Sequence, residues 1–538
     1  MDVQERLKRY AWPGGMMLIM LLAVALRLKG IHSPILDHPG WRQGDTASIA
    51  RNFALLQYNI LAPQTTYNGA PPHYVELELQ IVPFLAATLY RIFGIHEIFG
   101  RLITIVFSVA TVGVVGLFAR WLFTSVSAGL IAAFFYAALP GSVYYGRTFT
   151  PDTTMVFFLT AALYVVTRLI VEDEVFSQRS LARATALLTF AYLAKPVAVT
   201  GIVAVIAALW ERLRSGRTMR PTAILVLLAV PLVILYLYDY RVAEHAEWHW
   251  ASGITKLHVI PGLISAFTSV TGFALKAVYF VKVLNMLRMT MLGTIAFVLS
   301  IASFVAIGWI PMRSRVVLWA WLAGGLVYTY VVVTVERVDY YMYLLLPLCA
   351  LAIGGALAAF VRRMLAADAA PATRYALASL VPIVALACAA EGHAAVRPYY
   401  AYNKQAYRNA VFLDKTLPRD ALVVIGHYGP DVQYYINRFG WEEDPYLWTP
   451  FDEQSAIRKG SRYFISIEDQ RFRKNLELCA WMQRFPIRNP NAQWPVYETD
   501  PTRERPGADA FWRAFRNAER AGNGRAFLDA HHVCELDR

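Results

Sequence analysis

Apolar runs close to 20 residues long recur from Met16 to about Gly392 and then stop, and this repetition constrains the chain more than any motif it carries. A helix rises 1.5 Å per residue, so such a run matches a hydrocarbon core about 30 Å thick. Of 538 residues, 57% are hydrophobic and only 17% charged, against about 25% charged in an ordinary soluble domain. Residues 1–394 are therefore expected to form a membrane domain and 395–538 a soluble one. The net charge of +13 does not point to nucleic acid, because the arginines sit in short loops between apolar runs and not on a stripe with interleaved aromatics.

Those arginines set the threading. Arg6, Lys8 and Arg9 precede the first run and hold the N-terminus in the cytoplasm; no small-residue cleavage site follows, so the run reads as an anchor. The run at 79–93 is short, contains Pro83 and begins beside Glu76 and Glu78, which places it in the interface. Parity supports that choice. With it, Arg120, then Arg168, Arg179 and Arg183, then Arg212, Arg214, Arg217 and Arg220, then Arg313 and Arg315, then Arg362, Arg363 and Arg374 are all cytoplasmic. Eleven spans are expected, at approximately 12–28, 101–121, 127–146, 153–171, 181–194, 197–211, 221–240, 287–310, 316–334, 340–361 and 375–394. The long first loop (29–100) and the C-terminal domain then share the outer face with Asp45, Asp152 and Asp339.

The first loop carries most of the chemistry. Trp41-Arg42-Gln43-Gly44-Asp45 leads into 46–57, where Ile49, Phe53 and Leu56 recur at helical spacing, so a short amphipathic helix on the membrane surface is expected with Asp45 at its cap. A second carboxylate follows in Arg147-Thr148-Phe149-Thr150-Pro151-Asp152, within one turn of the same face. Each acid alone could be a helix cap. Two acids beside Arg42 and Arg147 at one depth, where charge is expensive, favour a functional pair.

A series of short motifs occurs in order: the Asp45 helix with Ile49-Ala50-Arg51-Asn52-Phe53, then Asn68-Gly69-Ala70-Pro71-Pro72-His73-Tyr74, Leu89-Tyr90-Arg91, Gly100-Arg101-Leu102, Pro151-Asp152, Ala194-Lys195-Pro196 and 340–347. The series resembles the polytopic GT-C glycosyltransferases that take sugar from a polyprenyl phosphate, and within them the dolichyl-phosphate-mannose protein mannosyltransferases and the aminoarabinose transferases of lipid A. The likeness covers roughly residues 10–400. It implies a helical membrane fold with a large first loop, a lipid-phosphate sugar donor, and inversion at the anomeric carbon by direct attack of an acceptor hydroxyl. The family's functional acids map onto Asp45 and Asp152. Asp45 is assigned as general base, since a hydroxyl nucleophile must lose its proton as the bond forms.

A departing phosphate gains charge, so cations at the outer face should hold it. Lys195 before Pro196, Arg147, Arg337 and Arg42 are the candidates, with Tyr340 as a sugar or phosphate contact. Plainer readings exist for several: Lys195 as a snorkelling span-end lysine, Arg337 as a partner of Glu336 or Asp339, and Tyr340, Tyr341 and Tyr343 as an interfacial belt. The chain also departs from the family, with Asp45-Thr46 where relatives carry Asp-Glu and Gly69-Ala70 where they carry a lysine before Pro-Pro. His73, Glu76 or Glu78 could take over part of that function.

The outer loop 241–285 carries His245, Trp248, His249, Trp250 and His258 before an amphipathic stretch at 260–284. His245 and His249 do not complete a zinc motif, so an interfacial helix with a tryptophan anchor is expected, and no metal site is assigned. A divalent cation is left open as a cofactor. The resemblance suggests a loop closing over the donor. Beyond His393, strand-like runs at 421–426 and 462–467 alternate with helix-like segments at 431–437 and 452–458, which gives a small α/β domain. Gly426-His427-Tyr428-Gly429 is a turn and not a dinucleotide fingerprint. Cys479 and Cys534 lie in this outer domain, where they can pair or stay reduced; Cys349 and Cys388 are packing residues in spans.

Three functions compete. The first is an inverting glycosyltransferase of a bacterial inner membrane, with its active site in the periplasm, a polyprenyl-phosphate sugar donor, and a lipid, glycan or protein acceptor. An oligosaccharide ligase or polymerase using a lipid diphosphate is the second. A transporter is third, disfavoured because no internal repeat or midplane ionisable group is evident.

Overall fold

The computed structural model describes residues 3–172, 178–217, 219–366, 370–489 and 493–535, with side chains from Ala11 onward, so the side chains of Arg6, Lys8 and Arg9 lie outside the described residues. The chain divides into two compact units. Unit 1 comprises Met1–Ser33, Tyr58–Leu61 and Glu76–Ala401; unit 2 comprises Pro34–Gln57, Ala62–Val75 and Tyr402–Arg538. The second unit therefore takes in two pieces of the first loop besides the C-terminal segment.

The N-terminal half is helical: α1 Val3–Arg27, α2 Gly40–Leu55, α3 Ile81–Phe93, α4 Glu97–Leu122, α5 Val126–Ala138, α6 Pro140–Tyr145, α7 Asp152–Val171 and α8 Gln178–Ala194. Among the described residues eight helical stretches are long and apolar enough to cross a membrane, and four apolar helices are shorter, α3 among them. Small residues bring the helices together. A Cβ on Gly129 of α5 would lie 2.8 Å from the Gly116 carbonyl of α4, and one on Gly354 would lie 2.8 Å from the Ala128 carbonyl of α5. Such backbone approach is how helices associate where lipid offers no hydrophobic drive.

Three expectations are corrected in unit 1. The expected span 127–146 divides at Leu139, because Pro140 cannot continue α5 and starts α6 instead. The expected interfacial stretch 260–284 divides at Ser269, whose hydroxyl accepts from the Gly272 N–H, and its second part runs on to Leu292 as one apolar helix. The expected span 287–310 accordingly breaks at Gly293, at φ +80°, and a new helix Thr294–Ile307 begins there. Glu391 caps that helix from a distant helix, accepting from the N–H groups of Thr294 at 2.7 Å and Ile295 at 3.0 Å. A cap supplied from 96 residues away leaves no local signal.

Unit 2 holds a four-stranded sheet of β1 Leu422–Gly426, β2 Gly440–Glu443, β3 Ser461–Ile465 and β4 Val496–Glu498, in the order β2-β1-β3-β4. β1 pairs in parallel with both β2 and β3, while β4 is antiparallel. The helix Pro430–Ile436 crosses from β1 to β2 and Pro450–Arg458 leads from β2 to β3. Cys479 and Cys534 form a disulfide.

Candidate functional site

In unit 1 the acid Asp152 opens α7, directly after Pro151, and makes no capping hydrogen bond. It accepts instead from Lys195 Nζ, at 2.5 Å to Oδ1, and both side chains are buried. Asp152 Oδ2 is buried and accepts no hydrogen bond among the described residues. Lys195 leaves α8 because Pro196 excludes the helical conformation for the residue before it; its φ of −164° and ψ of 120° are extended. Its ammonium lies 4.6 Å from the Tyr341 ring centre and 5.3 Å from that of Tyr340. The lysine does not snorkel.

The tyrosines come from a 3₁₀ turn, Asp339–Leu345, and from the helix ends around it. Tyr340 and Tyr343 are buried, which replaces the expected interfacial belt by an interior aromatic wall. Asp339 anchors that wall. Its carboxylate accepts from Tyr145 and Tyr399, both at 2.6 Å, and from its neighbour's backbone N–H. Arg147 is fully buried and stacks over Tyr144 and Tyr400, with 4.8 and 4.5 Å to the ring centres.

Not every candidate joins this cluster. Arg337 is exposed, adopts a left-handed conformation and lies over the Tyr279 ring at 4.7 Å; among the described residues it pairs with neither Glu336 nor Asp339. Glu336 is taken by His258, and Glu78 is buried in unit 1, where the N–H of the next residue, Leu79, donates to the Leu193 carbonyl at 2.8 Å. Glu76 is buried too and holds the 249–252 segment, meeting His249 Nδ1 at 3.0 Å and accepting from the Ser252 hydroxyl at 2.7 Å and N–H at 3.1 Å. Arg101 of the Gly-Arg-Leu motif donates to the carbonyls of Gly30, Ile31 and Ser33, which fixes the exit from α1. Gly100 beside it lets the Phe149 ring come within 2.4 Å of where a Cβ would stand.

Unit 2 holds the other acid. α2 begins at Gly40, so Asp45 stands inside the helix and not at its cap, and residues 42–53 are buried, so the helix is not an amphipathic surface helix. Its polar residues can be interior because they are satisfied. Asp45 Oδ2 accepts from Arg42 at 2.8 Å and Oδ1 from the Tyr67 hydroxyl at 2.8 Å, while Gln43 donates to Asp37 and Asn52 to the Gln64 carbonyl. His73 is buried in the same unit, its carbonyl accepting from the Thr65 N–H. Tyr67 was not singled out by sequence; its place beside Asn68-Gly69 was the only signal.

At the carboxyl ends of β1 and β3, His427 Nδ1 meets Glu468 at 2.6 Å and Nε2 meets Asp431 at 3.4 Å. Burial alone would lower the imidazole's pKa; its hydrogen bonds and the charges of Asp431 and Glu468 outweigh that and raise it to about 9. Burial pushes the Glu442 carboxyl up to about 8 against the opposing N–H of Gly429.

Residues 80–238 match one family profile, described as Dolichyl-phosphate-mannose-protein mannosyltransferase. That stretch contains Arg147, Asp152 and Lys195. No curated protein matches the chain by sequence. The fold is similar to archaeal oligosaccharyltransferase AglB from Archaeoglobus fulgidus in complex with an inhibitory peptide and a dolichol-phosphate, with TM-score 0.59, 13% identity, and 93% of this chain and 75% of that chain covered. It is also similar to ArnT from Cupriavidus metallidurans bound to undecaprenyl phosphate, with TM-score 0.57, 13% identity, and 92% and 99% covered. A third similar structure is the A. fulgidus oligosaccharyltransferase in complex with Zn and sulfate, at TM-score 0.55 and 13% identity, with 91% and 74% covered. The resemblance carried by the motifs thus recurs in a family profile over 80–238 and in the fold over most of the chain. Among the described residues no group of three or more His, Cys, Asp or Glu side chains stands together to hold a metal ion.

Proposed function

We propose that this chain is an inverting glycosyltransferase that moves a sugar from a polyprenyl phosphate to an acceptor hydroxyl at the periplasmic face of a bacterial inner membrane. The buried Asp152–Lys195 pair, lying inside the matched stretch 80–238, carries the proposal. A lysine held by one carboxylate oxygen and two aromatic faces is a preorganised cation of the kind a departing phosphate requires. Arg147, fully buried on its tyrosines, is a second such cation. Solved structures of similar fold hold dolichol-phosphate and undecaprenyl phosphate, which supports the donor class. The disulfide of unit 2 supports an oxidising compartment for that unit.

In the proposed reaction the acceptor oxygen bonds to the anomeric carbon while the bond from that carbon to the phosphate oxygen breaks. The lipid phosphate leaves with the electron pair, and the hydroxyl proton passes to a carboxylate. Asp45 takes that role, oriented by Arg42 and Tyr67. Each role rests on geometry within its own unit.

The test is mass spectrometry of lipid and glycan pools from cells lacking the chain, restored with wild type or Asp45→Asn. The wild type should return one glycosylated species and consume its lipid-monophosphate donor, and Asp45→Asn should return none while accumulating normally in the membrane. Equal restoration by the mutant would remove Asp45 as base. Consumption of a lipid diphosphate instead would favour the ligase reading.

A further inference from the structure

The mechanism leaves one feature of unit 2 unused, namely how closely α2 is seated on the helix Pro430–Ile436. Gly40 and Gly44 are one turn apart and share a face of α2. A Cβ on Gly44 would stand 2.4 Å from Asp431 Cα, 2.5 Å from its nitrogen and 2.9 Å from the Pro430 carbonyl carbon, all backbone atoms. On Gly40 the nearest atom would be the Asp431 carboxylate oxygen at 2.6 Å, the end of a side chain that can swing aside. Gly44 is the residue immediately before Asp45.

Polar bonds fix the same seat from both flanks. Arg51 donates to the Tyr434 carbonyl at 2.8 Å and lies over the Tyr434 ring; the Ile35 N–H donates to the Tyr435 hydroxyl at 2.8 Å. The loop that carries Tyr67 is pinned to the sheet independently. Gln433 donates to the Thr66 carbonyl at 3.0 Å, the Gly440 N–H donates to the same carbonyl at 3.2 Å, and the Gly69 N–H donates to the Gly440 carbonyl at 2.8 Å. Asp45 and its donor Tyr67 are thus each fastened to the C-terminal sheet, one through a helix contact and one through a strand edge.

We infer that the C-terminal sheet sets the geometry of the Asp45 carboxylate, with Gly44 and Tyr67 as positioning residues. The inference rests on the reading of Asp45 as the base. A methyl group on Gly44 forces α2 back by about 1 Å, since ordinary contact starts near 3.4 Å, and a displacement of that size costs about a hundredfold in rate. The Arg42–Asp45 bond lies within α2 and survives the shift, whereas the Tyr67–Asp45 bond bridges two segments and does not.

The experiment measures product formation in membranes of cells lacking the chain, restored with full-length variants, the product being the species that wild type returns. Rates are compared at saturating donor-lipid extract and at limiting extract. Gly44→Ala should lower the saturating rate about a hundredfold and Tyr67→Phe about tenfold, without raising the extract concentration that gives half-maximal rate. Gly40→Ala should stay near wild type. If Gly44→Ala does not accumulate, Tyr67→Phe, which keeps the ring and removes only the hydroxyl, decides. Wild-type rates in Tyr67→Phe while Asp45→Asn is inactive would overturn the inference and leave the base assignment standing. Wild-type rates in Asp45→Asn would instead remove the base assignment on which it rests.

Discussion

Lys195 Nζ sits 2.5 Å from Asp152 Oδ1 with both side chains buried, and the two residues come from the end of one helix and the start of another, 43 positions apart in sequence. Neither is placed by helix capping or by reach to solvent. The pair exists because Pro151 starts α7 and Pro196 ends α8 at the same end of the helix pair.

Breaking that pair from one side should be costly. Lys195→Met leaves a buried carboxylate without its cation and should destabilise unit 1 by about 3–5 kcal/mol, while Lys195→Met with Asp152→Leu should recover most of that stability. Neither variant should form product. Thermal unfolding of the purified protein together with the membrane product assay measures both, and activity in the double variant would remove the phosphate-binding role.

Arg337 and Arg147 should separate cleanly. Arg337→Ala removes an exposed guanidinium that lies over the Tyr279 ring, so stability should move by less than about 0.5 kcal/mol and product formation by less than about twofold. Arg147→Lys keeps the charge but loses the planar stacking on Tyr144 and Tyr400, and should lower stability by about 1–3 kcal/mol. Equal effects of the two substitutions on melting temperature would refute the contrast.

Much of the membrane unit was legible because lipid leaves few options for backbone, so run length reveals helices directly. The motifs single out Asp152 and Lys195 separately, and the structure joins them in one ion pair. What sequence did not reveal is contact between distant segments. The Glu391 cap, the Tyr67 hydroxyl on Asp45, and the tyrosines gathered on Asp339 are all long-range, and periodicity carries no record of them. Asp45 itself was misplaced on its helix because Gly40-Trp41-Arg42-Gln43-Gly44 has poor helical propensity; the two glycines are there for close packing on Asp431, and tertiary contact overrides the local preference.

Unit 2 should lose stability as pH rises. His427 binds its proton more tightly in the folded state, at about 9 against 6.5, so its contribution is complete below pH 6.5 and is lost as pH passes about 9. Glu442 and Glu453 are raised from 4.5 to about 8, chiefly by burial, so the folded state again holds protons that the unfolded state has released, and stability falls from about pH 4.5 until those protons are lost near pH 8. All three act in the same direction. Melting of unit 2 should therefore fall between pH 6.5 and 9, and His427→Gln should flatten part of that decline; melting that rises over the same interval would contradict the assignment.

The disulfide closes a stretch of 55 residues, and its loss should cost up to about 4 kcal/mol through the freedom restored to the unfolded chain. The effect should be local to the C-terminal end. The helices Ala508–Arg520 and Gly524–Ala530 pack through buried Phe515 and Leu528, while the last residues are held by Arg525 donating to the Cys534 carbonyl at 2.8 Å and Arg473 to the Glu535 carbonyl at 2.8 Å, polar bonds that water can replace. In Cys534→Ser this segment should become a site of rapid proteolysis, with cleavage after residue 500, while the helices of unit 1 stay intact. Alkylation of the unfolded protein supplies the control: two thiols, Cys349 and Cys388, before reduction and four after it. Four reactive thiols without reductant, or unchanged proteolysis of the variant, would show that the cross-link does not hold this end of the chain.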